Sequence, residues 1–247
     1  MGEADPSFSP DLVASDLFPV SEDLIPSREL KLAKNVPISF DGLLEPPILV
    51  REDPKHGCGG HLWPAGMQLS KYMLRKHRTD LKGKTIVELG AGGGLVGLAV
   101  AKGCAIDAPL YITDQIPMIP LIQENIYLNG LSGGPARAAL LDWGDSEVIR
   151  SFPQPDIILA ADCVYFEPAF PLLLQTLKDL IGDETVCYFC FKKRRKADFR
   201  FLKQAKKKFD MTLIEDGIDL EFCRKESIFL YAMTKRQTKR PQVNNIE

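Results

Sequence analysis

The chain has 247 residues, 45% of them hydrophobic and 26% charged, with a formal net charge of −2. That length suits one substantial domain with appendages, and such a core needs no disulfide staples. The near-zero balance excludes a chain built as a whole around a polyanion or an acidic membrane surface, and the six scattered cysteines read as reduced thiols of a cytosolic or nuclear protein.

Residues 1–33 are rich in Pro, Ser and Asp without a sustained period and hold seven acids in the first thirty positions against Arg28 alone. They read as a mobile acidic tail. No basic segment leads into an apolar core near the start, so no secretory signal is expected, and no stretch is long and apolar enough for a membrane span. In "VPISFDGLLEPPILV" (36–50) the Asp41-Gly42 pair stands between two apolar runs and predicts a hairpin-like element. A helix is expected from Pro64, where a missing N–H costs nothing.

An alternation then sets in. Strand-like runs occupy 84–89, 109–114, 136–142, 156–161 and 185–191, with helical segments at 94–103, 117–129, 168–181 and 196–209. Strands alternating with helices predict a parallel sheet covered on both faces. "MTLIED" and "SIFLYAMTK" close the chain with no helix-sized apolar period between them, which predicts an adjacent antiparallel pair. The expected fold is therefore α/β, a Rossmann-like seven-stranded sheet, mostly parallel with an antiparallel C-terminal strand. The domain spans 34–234 with its hairpin at the N-terminal end, and a basic tail covers 235–247.

"VELGAGGGLVG" (87–97) ends a strand in glycines and begins a helix, the device that lets a ligand touch backbone N–H groups. Alone it is weak, because dinucleotide enzymes share it. Asp114 ends the next strand 24 residues after Gly90, where a carboxylate can accept both hydroxyls of a ribose. NAD and S-adenosylmethionine satisfy this equally, and a turn glycine cluster beside a surface Asp is the plain alternative. Glu88, two residues before Gly90, and the aromatic plane of Trp143 in "LLDWG" favour S-adenosylmethionine. Trp143 on its own would read as a core or lid tryptophan. Finally, "ILAADCVYFEP" (158–168) ends a strand in Asp162, with Tyr165 three residues on. A buried carboxylate is costly unless paired or set at an opening, and ligands of parallel sheets bind beyond the carboxyl ends of the strands. An Asx-type turn is the bland reading.

Together "HLWPAG" (61–66), "VELGAGGGLVGL" (87–98), "LDWG" (141–144) and "AADCVYFE" (160–167) resemble the seven-β-strand protein-lysine methyltransferases of methyltransferase family 16, the methyltransferase-like 21 group, over about residues 36–234. Within that group the chain looks most like the fungal branch that methylates translation elongation factor 1-alpha. The resemblance implies an S-adenosylmethionine-dependent protein-lysine N-methyltransferase with that factor as substrate. It assigns cofactor contacts to Trp63, Gly90, Ala91, Gly92, Asp114, Trp143 and Ala161, and sets Asp162 and Tyr165 facing the incoming lysine. Gly93 stands where many relatives carry Thr or Ser. A cytoplasmic monomer is expected, with no membrane and no direct nucleic-acid partner.

Two rivals stay open at this point. One is an RNA or small-molecule methyltransferase on the same fold, although no Pro pair follows Asp162. The other is a cofactor-fold binding module without turnover. His56, Cys58 and His61 in "HGCGGH" tempt as a metal triad, but no fourth ligand stands in register, so no metal is expected. Cys187 and Cys190, three apart in one strand, should point to opposite faces. The run 192–208, with ten basic residues and one acid, reads as a solvated helix face or as a docking surface for an acidic partner.

Overall fold

The computed structural model describes residues 32–237; all but the last two residues of the segment read as an acidic tail, and the last ten residues of the chain, lie outside them. Two short strands, β1 (Lys34–Ile38) and β2 (Ile48–Glu52), form the expected hairpin, paired antiparallel in the register Ile38↔Ile48. Asp41 and Gly42 do not make a tight two-residue turn. They sit in a longer loop over 39–47, where Phe40, Asp41 and Gly42 all adopt positive φ. Helix α1 (Pro64–Lys76) begins at the proline, with Trp63 as its N-cap.

The main domain then follows the alternation: β3 (Ile86–Leu89), α2 (Leu95–Gly103), β4 (Leu110–Asp114), α3 (Ile119–Leu128), β5 (Ala136–Leu140), α4 (Ser146–Ser151), β6 (Ile157–Ala161), α5 (Phe170–Leu180), β7 (Val186–Lys192), α6 (Lys196–Lys208), β8 (Phe209–Leu213), α7 (Leu220–Glu226) and β9 (Ile228–Lys235). The seven-stranded sheet has the order β5-β4-β3-β6-β7-β9-β8. Every pairing is parallel except those of β9, which runs antiparallel to both β7 and β8. The expected terminal pair is thus present, but the seven-residue α7 stands between its strands. Its N-terminus is capped by the Asp219 side chain accepting from the Phe222 amide at 3.0 Å, a local signal that the apolar period of "LEFCRKE" does not carry.

Each sheet face is buried under its own apolar layer. Leu69, Met73, Leu98, Ile112 and Ile122 belong to one, and Leu173, Leu177, Phe189, Phe201 and Leu202 to the other. Cys190 lies in the first layer and Cys187 in the second, as a two-residue strand period requires. All four residues of β3 are buried, the pattern of a central parallel strand. The hairpin docks onto α3 through two asparagines. Asn125 Oδ1 accepts from the Arg51 amide at 2.7 Å, and Asn129 pairs with both the amide and the carbonyl of Leu49 at 2.9 and 2.7 Å. Strand order reverses between β3 and β6, so the crevice beyond their carboxyl ends is where this topology opens a ligand site. No helix among the described residues is long and apolar enough to cross a membrane.

Candidate active site

The chain leaves β3 through Gly90 and Gly92, both at positive φ (58° and 56°). A side chain would fail there on two counts. L-residues rarely adopt that conformation, and a Cβ on Gly92 would stand 2.8 Å from the Gly59 carbonyl oxygen, while one on Gly90 would stand 2.9 Å from the Trp143 indole. Glycine therefore lets the "HGCGGH" segment close down over the loop, with Gly59 packed beside Met118. This close packing is the local use of that glycine-rich run.

The glycine loop is fastened from three sides. Asp114 Oδ2 accepts from the Gly92 amide at 2.8 Å, and its Oδ1 accepts from Gln115 at 2.7 Å. Asn125 Nδ2 donates to the Gly93 carbonyl at 2.8 Å. Glu88 Oε2 accepts from the Gly97 amide at 2.8 Å in the first turn of α2. Burial pushes the Glu88 carboxyl up to about 8; the amides of Gly97 and Val96 oppose the shift, and the nearby Asp114 adds to it. Burial also raises Asp114, against the pull of its two amide donors.

The raised Glu88 gives a stability prediction. Its proton is held more tightly in the folded chain than in the unfolded one, where a carboxyl titrates near 4.5. The stabilisation is complete below that value and is lost as pH rises through about 8. Urea unfolding at pH 5 and pH 8 should show wild type losing more stability than Glu88→Gln over the interval, by an amount on the order of a few kcal/mol.

On the other side of the crevice, β6 ends at Ala161 and the chain enters Asp162 in the left-handed region, φ 53°. Asp and Asn tolerate that conformation better than other side-chain-bearing residues. The Asp162 carboxylate is 7% exposed and already engaged. Arg194 donates Nη1 to Oδ1 at 2.9 Å and Nη2 to Oδ2 at 3.2 Å, the Lys192 amide donates to Oδ1 at 2.9 Å, and the Ala65 amide makes a long 3.4 Å contact with Oδ2. One carboxylate thus ties together the start of α1, the end of β6 and the end of β7. The Arg194 guanidinium also lies 5.1 Å from the centre of the Trp63 ring, whose Nε1 donates to the Cys58 carbonyl at 2.9 Å. Tyr165 and Phe166 stand at the rim, 54% and 57% exposed, and burial of the remainder of Tyr165 raises its phenol, which stays a neutral hydrogen-bonding group.

Trp63, Gly90, Ala91, Gly92, Asp114, Trp143, Ala161, Asp162 and Tyr165, the residues selected from the sequence, all line one cavity of about 740 Å³. That volume is ample for a nucleoside-sized ligand. Arg194, Met118, Phe166 and Glu52 line it as well and escaped the sequence reading. Arg194 lies inside a basic run whose sequence reads as a solvated face or a docking surface, and only its cross-sheet pairing with Asp162 singles it out. Among the described residues no cluster of His, Cys, Asp and Glu is arranged to hold a metal ion.

A family model described as lysine methyltransferase matches residues 43–208. The chain is 37% identical over 238 residues to the protein-lysine N-methyltransferase EFM6 of Saccharomyces cerevisiae, an alignment covering 87% of this chain and 96% of that protein. It is 39% identical over 140 residues to EEF1A lysine methyltransferase 3 of Mus musculus, covering 56% of this chain and 57% of that one. The backbone is similar in fold to TrmN from Thermus thermophilus, with TM-score 0.50 and 20% identity over 69% of this chain and 49% of the other.

Proposed function

We propose that this chain, which belongs to the lysine methyltransferase family and is a protein-lysine N-methyltransferase, takes its methyl group from S-adenosylmethionine and places it on a lysine of translation elongation factor 1-alpha. The observation that carries the reading is the one cavity joining a glycine loop and Asp114 to the buried Asp162 and to Tyr165 at an exposed rim. The substrate assignment is supported by the similarity to the mouse EEF1A lysine methyltransferase.

The residues present fit the cofactor. Gly90, Ala91 and Gly92 line the cavity at the turn after β3, a stretch suited to the methionine end. Asp114 spends one lone pair of each oxygen on an amide and keeps acceptor capacity for two ribose hydroxyls. Trp143, against Gly90, offers an aromatic plane to the adenine, and Trp63 and Ala161 complete the walls. When bound, S-adenosylmethionine would supply a sulfonium methyl group that an amine can accept by in-line attack, with the neutral thioether as leaving group.

The protein's task is then to position a neutral amine and exclude water. Neutralising a lysine at pH 7 from its reference value of ~10.4 costs about 4.6 kcal/mol. The apolar walls and Tyr165 at the rim disfavour the charged form by desolvation, and the Tyr165 phenol can take up the amine's hydrogen bonds. Asp162, opposite the glycine loop, orients the ammonium as it arrives. Elongation factor 1-alpha as substrate carries with it a cytoplasmic place of work.

The test is to incubate the purified chain with methyl-labelled cofactor and purified elongation factor 1-alpha. Label is expected on one lysine by peptide mass spectrometry. Label that survives protease and is removed by nuclease, or that rests on no lysine of that factor, overturns the assignment.

A further inference from the structure

The Asp162 carboxylate presents a difficulty for lysine chemistry. A bare carboxylate beside the incoming amine would hold its proton on, opposing the deprotonation that attack requires. The pairing seen in the structure removes the difficulty. Arg194 reaches across from the end of β7 and meets both carboxylate oxygens, while its guanidinium stacks toward Trp63 inside the cavity lining. We propose that Arg194 is a positioning residue for the reaction: it balances the Asp162 charge, so that the carboxylate organises the lysine entrance without trapping the amine as ammonium.

The surrounding groups leave this role to Arg194. The other cations of residues 192–195 are engaged elsewhere: Lys192 Nζ with Glu226 at 2.6 Å, Arg195 with Asp198 at 3.0 Å, and Lys193 over the Phe199 ring at 4.7 Å. The neighbouring thiols of Cys163 and Cys190 are buried, and burial raises both well above their ordinary value, so they bring no charge near neutrality. Tyr165 is likewise raised by burial. From α1 the only polar group meeting the carboxylate is the Ala65 amide. Glu52, His56 and His61, and the Glu88 carboxyl that titrates near 8, line other parts of the cavity. They are common to every variant compared below, so a difference between variants isolates the pair. Arginine suits the position because its planar fork matches a carboxylate with two parallel bonds and keeps its charge over the working pH range.

The inference rests on the lysine-methylating reading, and the experiment separates the two. The pH dependence of kcat is measured from pH 6 to 10 on the full chain with saturating cofactor and elongation factor 1-alpha. Removing the guanidinium in Arg194→Met is expected to move the alkaline-activated limb up by about one pH unit, a loss of about tenfold at pH 7 that is recovered at high pH. KM for the protein should stay unchanged or fall. Arg194→Lys should keep the limb of wild type, and Asp162→Asn combined with Arg194→Met should return it there at a lower plateau, since neither charge remains. Cofactor affinity by calorimetry, unchanged in Arg194→Met, reports an intact cavity. An Arg194→Met loss that is equal at every pH, or a double variant whose limb stays displaced, overturns the proposal. Wild type that labels no lysine overturns it together with the functional reading, whereas active wild type with an unmoved limb overturns this proposal alone.

Discussion

Asp162→Asn is expected to lower kcat/KM for the protein substrate by about 100-fold or more, equivalent to about 2.7 kcal/mol of transition-state stabilisation, while cofactor affinity stays within about threefold of wild type. Asparagine is the informative replacement because it accepts the left-handed backbone at this position, whereas alanine would add backbone strain of about 1–2 kcal/mol. The amide keeps the shape but offers one acceptor where the carboxylate has two, so its NH2 confronts an Arg194 nitrogen in either orientation, together with the Lys192 amide or the Ala65 amide. The entrance loses both its charge and its order. The glycine loop is untouched, because its own anchors are Asp114, Asn125 and Glu88. Steady-state kinetics beside calorimetry separates the two effects. Methylation at the wild-type rate would remove Asp162 from the catalytic assignment, and a collapse of cofactor affinity would turn it into a general scaffold.

Asp114→Ala should fail in the complementary way. Two hydrogen bonds from ribose hydroxyls to a charged acceptor contribute about 1.5–3 kcal/mol each, and the loss also strands the Gly92 amide. The dissociation constant for S-adenosylmethionine is expected to rise by about 10²–10⁴-fold, with little change in thermal midpoint because the residue is partly exposed at a strand end. Residual activity at saturating cofactor should approach that of wild type. If calorimetry finds affinity unchanged, the ribose is held elsewhere and the orientation assigned to the cofactor is wrong.

The fold was largely legible because its main signals are local. Strand-like apolar runs and glycine or proline punctuation placed the seven strands, and the split of Cys187 and Cys190 between two apolar layers follows from strand period alone. The residues chosen for the cavity came from motif order, and they converge because the topology forces the ends of β3, β4 and β6 to one edge. What the sequence hid was non-local. Arg194 is separated from Asp162 by 32 positions, and nothing in "KKRRK" distinguishes it from its neighbours until β6 and β7 pair. The closure of Gly59 over Gly92 depends on two loops meeting backbone to backbone, which leaves no trace in hydrophobic pattern. Helix α7 escaped because seven residues are too few for a period to emerge.

The asparagine bridge carries a consequence for the order in which the protein becomes competent. The hairpin is synthesised before α3, yet its β2 edge finds its hydrogen-bond partners 74 and 80 residues later, at Asn125 and Asn129. A nascent chain emerging from the ribosome therefore carries β1 and β2 undocked until α3 has followed them out. Asn125 fastens Arg51 and Gly93 together, so the hairpin and the glycine turn are secured in the same event, well before β8 and β9 complete the sheet.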